Sequence, residues 1–257
     1  PQRQNPELRT SSTTHIHLRP WAVAQFWKTL RSIDQGARAR RYATLPYRLI
    51  LILSNSLNFI FFAVPRTGTH STREVLRPYL TDEDWEQQVL RGKQLSPIDE
   101  IARLGHGHVT VQELRSGLKP GVWESCYKFA IVRNPFDRFV SVCSFLNRDN
   151  PVFKAHPLQW MKAALQRPRF RHRILVRPQN DQLVDKNKEI RLDYIGRYEN
   201  LRQSMDRIFS DLNLPSTSLK RRNASSHAHY KKYYDDELKD AVATFYKEDL
   251  KLFNYEY

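Results

Sequence analysis

Two apolar runs stand close together in the chain, 47–53 (Tyr-Arg-Leu-Ile-Leu-Ile-Leu) and 59–64 (Phe-Ile-Phe-Phe-Ala-Val), divided by the turn-forming stretch Ser54-Asn55-Ser56-Leu57-Asn58. Both have strand length, and the second is apolar at every position, as a strand covered on both faces must be. The run 127–132 (Tyr-Lys-Phe-Ala-Ile-Val) predicts another buried strand, and 192–198 a further short one. Helical periods fill the spaces between. Trp21, Val23, Phe26, Trp27, Leu30 and Ile33 predict an amphipathic helix after a polar arm over 1–18, and Leu238, Val242, Phe245, Tyr246 and Leu250 predict a closing helix over 235–253. Helices are also expected over 158–165 and 201–212.

Capping signals place the remaining helices. Ser71-Thr72-Arg73-Glu74 and Thr110-Val111-Gln112-Glu113 both have the form of a capping box, predicting helices over 72–80 and 110–117. Asn134 suits an N-cap and Pro135 the first helical position, which predicts a helix over 135–147. Strands alternating with helices make this an α/β protein with a central parallel sheet flanked by helices, in which ligands sit at the carboxyl ends of the strands. The length of 257 residues fits one domain over 19–257 behind the 1–18 arm.

Composition narrows the class. A hydrophobic content of 40% supports a full core, and no apolar stretch approaches the roughly 18 residues of a membrane span. The chain starts at Pro1 without a signal-like segment, so an anchor upstream of it is compatible with the sequence. Cys126 and Cys143 are too few for a disulfide framework and lack metal-cluster spacing; two buried thiols are expected, with one disulfide as the other reading. A net charge of +15 predicts attraction to polyanions, whether nucleic acid, an anionic membrane or an acidic polysaccharide.

The chemistry concentrates in two loops. Pro65-Arg66-Thr67-Gly68-Thr69-His70-Ser71 follows a buried strand and precedes a helix, where backbone N–H groups, hydroxyls and the Arg66 charge can hold an anion and Gly68 lets the main chain approach. It lacks the Gly-x-x-x-x-Gly-Lys-Ser/Thr spacing of a nucleotide triphosphatase loop. The second loop, Arg133-Asn134-Pro135-Phe136-Asp137-Arg138-Phe139-Val140-Ser141, places an Arg at a strand end and a Ser two turns into the next helix.

In order and separation this pair resembles the 5′-phosphosulfate loop and the 3′-phosphate motif of sulfotransferases, which use 3′-phosphoadenosine 5′-phosphosulfate as donor and release 3′-phosphoadenosine 5′-phosphate. The resemblance implies the sulfotransferase fold, related to that of P-loop nucleotide triphosphatases. It implies that Arg66, Thr67, Gly68, Thr69, His70 and Ser71 hold the 5′-phosphosulfate and that Arg133 and Ser141 hold the 3′-phosphate, with no metal required. The family usually has Lys where Arg66 stands; Arg keeps the charge but does not readily give up a proton. Gly105-His106-Gly107-His108-Val109 is similar to the His-Gly-His-Val segment of the Golgi 2-O-sulfotransferases of heparan and chondroitin. That likeness implies His108 as the base that takes the acceptor proton and His106 as a positioning or alternate residue; bacterial carbohydrate sulfotransferases are similar at the 195–201 junction. As residues alone, the two histidines could instead bind zinc with a third ligand, or simply face solvent.

Downstream, 195–201 (Ile-Gly-Arg-Tyr-Glu-Asn-Leu) resembles a family strand-to-helix junction, where Glu199 is expected to pair with an Arg and cap the helix. Lys220, Arg221 and Arg222 lie in a basic loop that in relatives often closes over the nucleotide, and Asn223-Ala224-Ser225 fits the N-glycosylation pattern. The expected acceptor is a carbohydrate hydroxyl, best an acidic polysaccharide, with no nucleic acid as partner. A homo-oligomer, a Golgi-lumenal location in a eukaryote and a cytoplasmic one in a bacterium are compatible with the resemblance. Rival readings are a sulfotransferase for a small natural product, lipid or protein tyrosine, and a non-enzymatic nucleic-acid-binding protein; the latter lacks any recognisable nucleic-acid motif.

Overall fold

The computed structural model describes residues 51–82, 84–86, 101, 107–215 and 229–257. All of them belong to one compact unit, Tyr47–Tyr257. The arm expected over 1–18, the helix expected from Pro20, His106, the basic residues Lys220, Arg221 and Arg222, and Asn223 lie outside the described residues.

Strands β1 (Ile52–Ser54) and β2 (Phe59–Phe62) are followed by helix α1 (Thr69–Leu76), a 3-10 turn (Arg77–Tyr79) and β3 (Trp85–Glu86). Next come α2 (Val111–Gly117), α3 (Val122–Ser125), β4 (Tyr127–Val132) and α4 (Pro135–Leu146). Four short helices fill the middle: α5 (Pro151–Ala155), α6 (Pro157–Leu165), α7 (Pro168–Arg171) and α8 (Asn180–Leu183). The chain closes with β5 (Tyr194–Arg197), α9 (Leu201–Asp211), a 3-10 turn (Tyr230–Tyr233), α10 (Asp236–Phe245) and α11 (Lys247–Leu252).

The sheet order is β3-β1-β2-β4-β5. It is mixed rather than wholly parallel. β2, β4 and β5 run parallel, with Phe59 opposite Tyr127 and Phe129 opposite Tyr194, whereas β1 pairs antiparallel with both β2 and β3. Turn length is the reason, because a parallel partner needs a crossover of a dozen or more residues and the link from Ser54 to Phe59 is a tight turn. The Asp84 carboxylate secures that turn, accepting bonds from Ser54 Oγ (3.0 Å), Ser56 N (2.9 Å) and Ser56 Oγ (2.6 Å).

Alternation along β2 and β4 feeds two cores, one on each face of the sheet. Phe59, Phe61, Phe129 and Ile131 pack with Met205, Ile208 and Phe209 of α9, while Ile60, Phe62, Ala130 and Val132 pack with Val109, Val111, Leu114 and Trp123. The α9 helix comes close because β5 carries Gly196, where a Cβ would lie 2.6 Å from Ile131 Cδ1 and 2.7 Å from Ser204 Cβ. Lys128 interrupts the apolar run of β4, and its buried ammonium is satisfied by Trp123 O (3.1 Å) and the Asp193 carboxylate (2.9 Å). A third cluster joins α4, α6 and α10 through Phe139, Val142, Met161, Leu238, Val242 and Tyr246.

Local signals succeeded where no distant group competed. The Thr110 box is complete, with Glu113 N donating to Thr110 Oγ1 (3.1 Å) and Thr110 N to Glu113 Oε2 (2.7 Å). Asn134 Oδ1 caps α4 by accepting from Phe136 N (3.0 Å), with Pro135 in the first turn. The Ser71 box does not form. Positive-φ residues Arg66 (66°) and Gly68 (82°) turn the chain into α1 at Thr69, so Thr72 falls inside the helix and is buried. The closing helix is also two, because Tyr246 leaves helical geometry (φ −105°, ψ 24°) between α10 and α11. The break sends the Tyr246 hydroxyl to Val176 O (2.6 Å) and the Asp249 carboxylate to Gln179 N and Asn180 N (2.8 Å each). Cys126 and Cys143 are separate buried thiols, and burial pushes both above the usual thiol range.

Candidate active site

β2 and β4 are neighbours and parallel, so the loops that follow them emerge side by side at one edge of the sheet. The first loop is wound by its own backbone. Thr67 Oγ1 donates to Val64 O (2.9 Å) and Thr72 N to Gly68 O (3.0 Å), so the Thr67 hydroxyl proton is committed within the loop. The N–H groups of Thr69, His70 and Ser71 occupy the first turn of α1, where the helix supplies no carbonyl partners and its dipole favours an anion. The His70 ring is held between Glu74 Oε1 (3.3 Å from Nε2) and Arg73 Nη2 (3.4 Å from Nδ1).

The second loop is bolted onto the first. Arg66 donates from Nε (3.1 Å) and Nη2 (3.0 Å) to Ser141 Oγ, 75 residues away in sequence, and its guanidinium lies 4.4 Å from the centre of the Phe145 ring. Arg133 donates from Nη1 to Arg66 O (3.1 Å) and forms an ion pair with Asp137 (2.8 Å). Two buried residues complete the joint, Arg138, which lies inside the second motif without an expected role, and Gln179, which lies in no motif. Arg138, fully buried, donates from Nε to Pro65 O (3.0 Å) and from Nη2 to Leu175 O (3.2 Å) and Arg177 O (2.9 Å). Gln179 brackets Arg133, accepting from its N–H and donating to its carbonyl at 2.9 Å each.

Tyr198, part of the 195–201 junction, carried no expected role of its own. Its ring packs under Gly68, where an added Cβ would come within 3.0 Å of Cδ2, and carries the Arg133 guanidinium at 4.2 Å from the ring centre. One aromatic ring therefore touches both loops.

His108 packs against the end of β2. It is 2% exposed, and its Nδ1 lies 2.5 Å from Ala63 O. A carbonyl can only accept, so Nδ1 carries a hydrogen directed at Ala63 O. Ala63 lies two residues before the loop that begins at Pro65, so the His108 imidazole lies beside that loop. Of the residues singled out from sequence, Arg66, Gly68, Thr69, Ser71, Arg133, Ser141 and His108 are gathered at this edge. His106, Arg221 and Arg222 lie outside the described residues.

Residues 51–256 match the model of the sulfotransferase family. The chain belongs to that family. No curated protein and no solved structure matches it. The matched span covers both loops of the sulfotransferase, His108 and the 195–201 junction. At that junction Glu199 works on the other loop rather than on its own helix: Oε1 accepts from Asn134 N (2.6 Å) and Oε2 from Tyr255 OH (2.8 Å). Burial, then the Glu199 carboxylate, pushes the Tyr255 phenol far above its ordinary range. Beneath the site, burial also holds the Asp249 carboxyl above its usual value against the pull of Arg138 and the Gln179 and Asn180 N–H groups. No group of three or more His, Cys, Asp or Glu side chains placed to hold a metal ion occurs among the described residues, which do not include His106.

Proposed function

We propose that this sulfotransferase moves a sulfuryl group from 3′-phosphoadenosine 5′-phosphosulfate to a hydroxyl of an acidic polysaccharide, by in-line displacement with His108 as base. The observation that carries the reading is the Arg66–Ser141 contact, reinforced by Arg133 on Arg66 O, because it joins two loops distant in sequence, as a site for both ends of one donor would require. The donor supplies an activated sulfuryl group on a bisphosphate leaving group, and the residues present fit its two ends. Backbone N–H groups of 69–71 and the Arg66 charge suit the 5′ end, and Arg133 with Ser141 suits the 3′-phosphate.

Charge and proton then move in a balanced way. The acceptor oxygen forms its bond to sulfur as the bridging S–O bond breaks, the acceptor proton passes to His108 Nε2, and the negative charge gathers on the departing phosphate oxygen. Arg66 opposes that charge electrostatically; a guanidinium stays protonated, so it acts as a fixed cation rather than a proton donor. His108 suits the base role because its Nδ1–H is committed to Ala63 O, which holds the other nitrogen in the proton-accepting form.

The acidic acceptor is supported by the segment leading to the site. Arg169, Arg171 and Arg177 are exposed and Arg167 and Arg173 half-buried, and the end of this basic run is joined to the donor loop by Arg138. A polyanion is what such a row of guanidinium groups attracts. Incubation with sulfur-labelled donor and a panel of desulfated and carboxylated polysaccharides should label a polysaccharide; label on a phenol, lipid or tyrosine peptide alone would move the assignment to those acceptors. His108→Ala should abolish transfer while keeping affinity for 3′-phosphoadenosine 5′-phosphate, and unchanged transfer removes His108 as the base.

A further inference from the structure

Gln182 belongs to no motif and sits in the four-residue helix α8. It is 5% exposed, and its Nε2 lies 3.2 Å from Ala63 O and 3.1 Å from Val109 O. Both neighbours are carbonyl oxygens, which fixes the amide orientation: the nitrogen must face them and both of its hydrogens are used. Ala63 O is the same oxygen that receives the His108 Nδ1–H, and Val109 is the residue that follows His108. A single amide thus grips the acceptor of the histidine's bond and the main chain that carries the histidine.

The grip has a rigid base. Asp249 accepts from Gln179 N and Asn180 N at the start of α8, and Gln179 holds both main-chain groups of Arg133. The stretch 175–182 therefore reaches three parts of the site: Pro65 through Arg138, Arg133 through Gln179, and the His108 segment through Gln182.

We propose that Gln182 is the positioning residue for the histidine base, locking the Ala63 carbonyl and the 108–109 backbone so that His108 keeps its hydrogen on Nδ1 and presents Nε2 to the acceptor hydroxyl. The proposal rests on the reading of His108 as the base. Gln182 touches neither substrate, and its contribution is orientation. Misplacing a base by about 1 Å can lower a rate on the order of a hundredfold, so loss of the amide should act on turnover rather than on donor binding.

The test compares the wild type with Gln182→Met, which keeps the side-chain length without hydrogen-bonding hydrogens, and with His108→Ala. Gln182→Met should lose turnover by about ten- to a hundredfold with the acceptor KM and the affinity for 3′-phosphoadenosine 5′-phosphate within about twofold of wild type. Nitrogen-15 imidazole spectra should show the Nδ1–H form of His108 in the wild type and a mixture with the Nε2–H form in Gln182→Met. Turnover within about twofold of wild type and an unchanged imidazole spectrum in Gln182→Met would overturn the proposal. A wild-type spectrum showing Nε2–H would overturn it too, whether or not the variant folds. Transfer retained by His108→Ala is a separate outcome, which rejects the base assignment itself.

Discussion

Two glycines with the same backbone demand but different surroundings make a controlled experiment. Gly68 and Gly121 both hold positive φ, 82° and 85°. Alanine at either position suffers the left-handed penalty of roughly 1–2 kcal/mol, offset in part by the lower entropy of its unfolded chain. Around Gly121 a Cβ meets nothing within 4 Å, whereas at Gly68 it meets Tyr198 Cδ2 at 3.0 Å, Leu201 Cδ2 at 3.1 Å and Tyr198 Cε2 at 3.2 Å. Crowding of that kind adds roughly 1–3 kcal/mol. At about 2–4 °C per kcal/mol for a unit of this size, Gly68→Ala should melt about 2–12 °C below Gly121→Ala in calorimetry. Binding should separate them further. Tyr198 carries Arg133 on its ring at 4.2 Å, so displacing it disturbs both loops, and Gly68→Ala should weaken 3′-phosphoadenosine 5′-phosphate about tenfold, or about 1.4 kcal/mol. Gly121 caps the small helix α3 ahead of β4, away from the strand ends that carry the site, and its variant should bind as the wild type does. Equal melting temperatures and equal affinities in the two variants would refute the packing of Tyr198 against the donor loop.

Other substitutions probe separate parts of the account. Ser141→Ala removes the oxygen that receives two Arg66 bonds, and steady-state assays should show turnover down by about tenfold with little change in melting temperature; wild-type turnover would detach Arg66 from Ser141 in function. Arg138→Met strands three carbonyl oxygens and leaves Asp249 buried without its cation, so urea unfolding should show a loss of about 3–5 kcal/mol, and a loss under 1 kcal/mol would contradict this role. Asp84 titrates with stability. Burial pushes its carboxyl up, but the Ser56 hydroxyl and N–H, Thr81 N–H and Ser54 hydroxyl together hold it below the ordinary value. Its stabilisation is therefore full above the unfolded pKa of about 3.9 and lost as pH falls through the lower folded value. Asp84→Asn should be less stable than wild type at neutral pH, the gap closing below about pH 4; a gap constant from pH 7 to 3 would contradict it.

What the sequence disclosed follows the range of the forces involved. The two candidate loops were legible because strand, turn and helix signals lie within a dozen residues of each other, and the Thr110 and Asn134 caps are completed by residues two or three positions on. The Ser71 box has the same local chemistry and failed because Arg66 and Gly68, outside its four residues, start the helix earlier. β1 was expected to join a parallel sheet; apolar pattern carries no strand direction, and only the short Ser54–Phe59 link excludes it. The joint between the loops could not be read, since Arg66 meets Ser141 only once β2 and β4 pair. Gln179, Gln182 and Asp249 are hidden for the same reason, with partners 46 to 119 residues away and no periodicity to mark them.

The central claim is that two loops form one site for the donor's nucleotide, and calorimetric titration with 3′-phosphoadenosine 5′-phosphate tests it most directly. One site per chain is expected in the wild type, and affinity lowered at least about tenfold in Arg133→Ala, whose guanidinium joins the loops and is proposed to hold the 3′-phosphate. Absence of binding by the wild type, or equal affinity in Arg133→Ala, would contradict it.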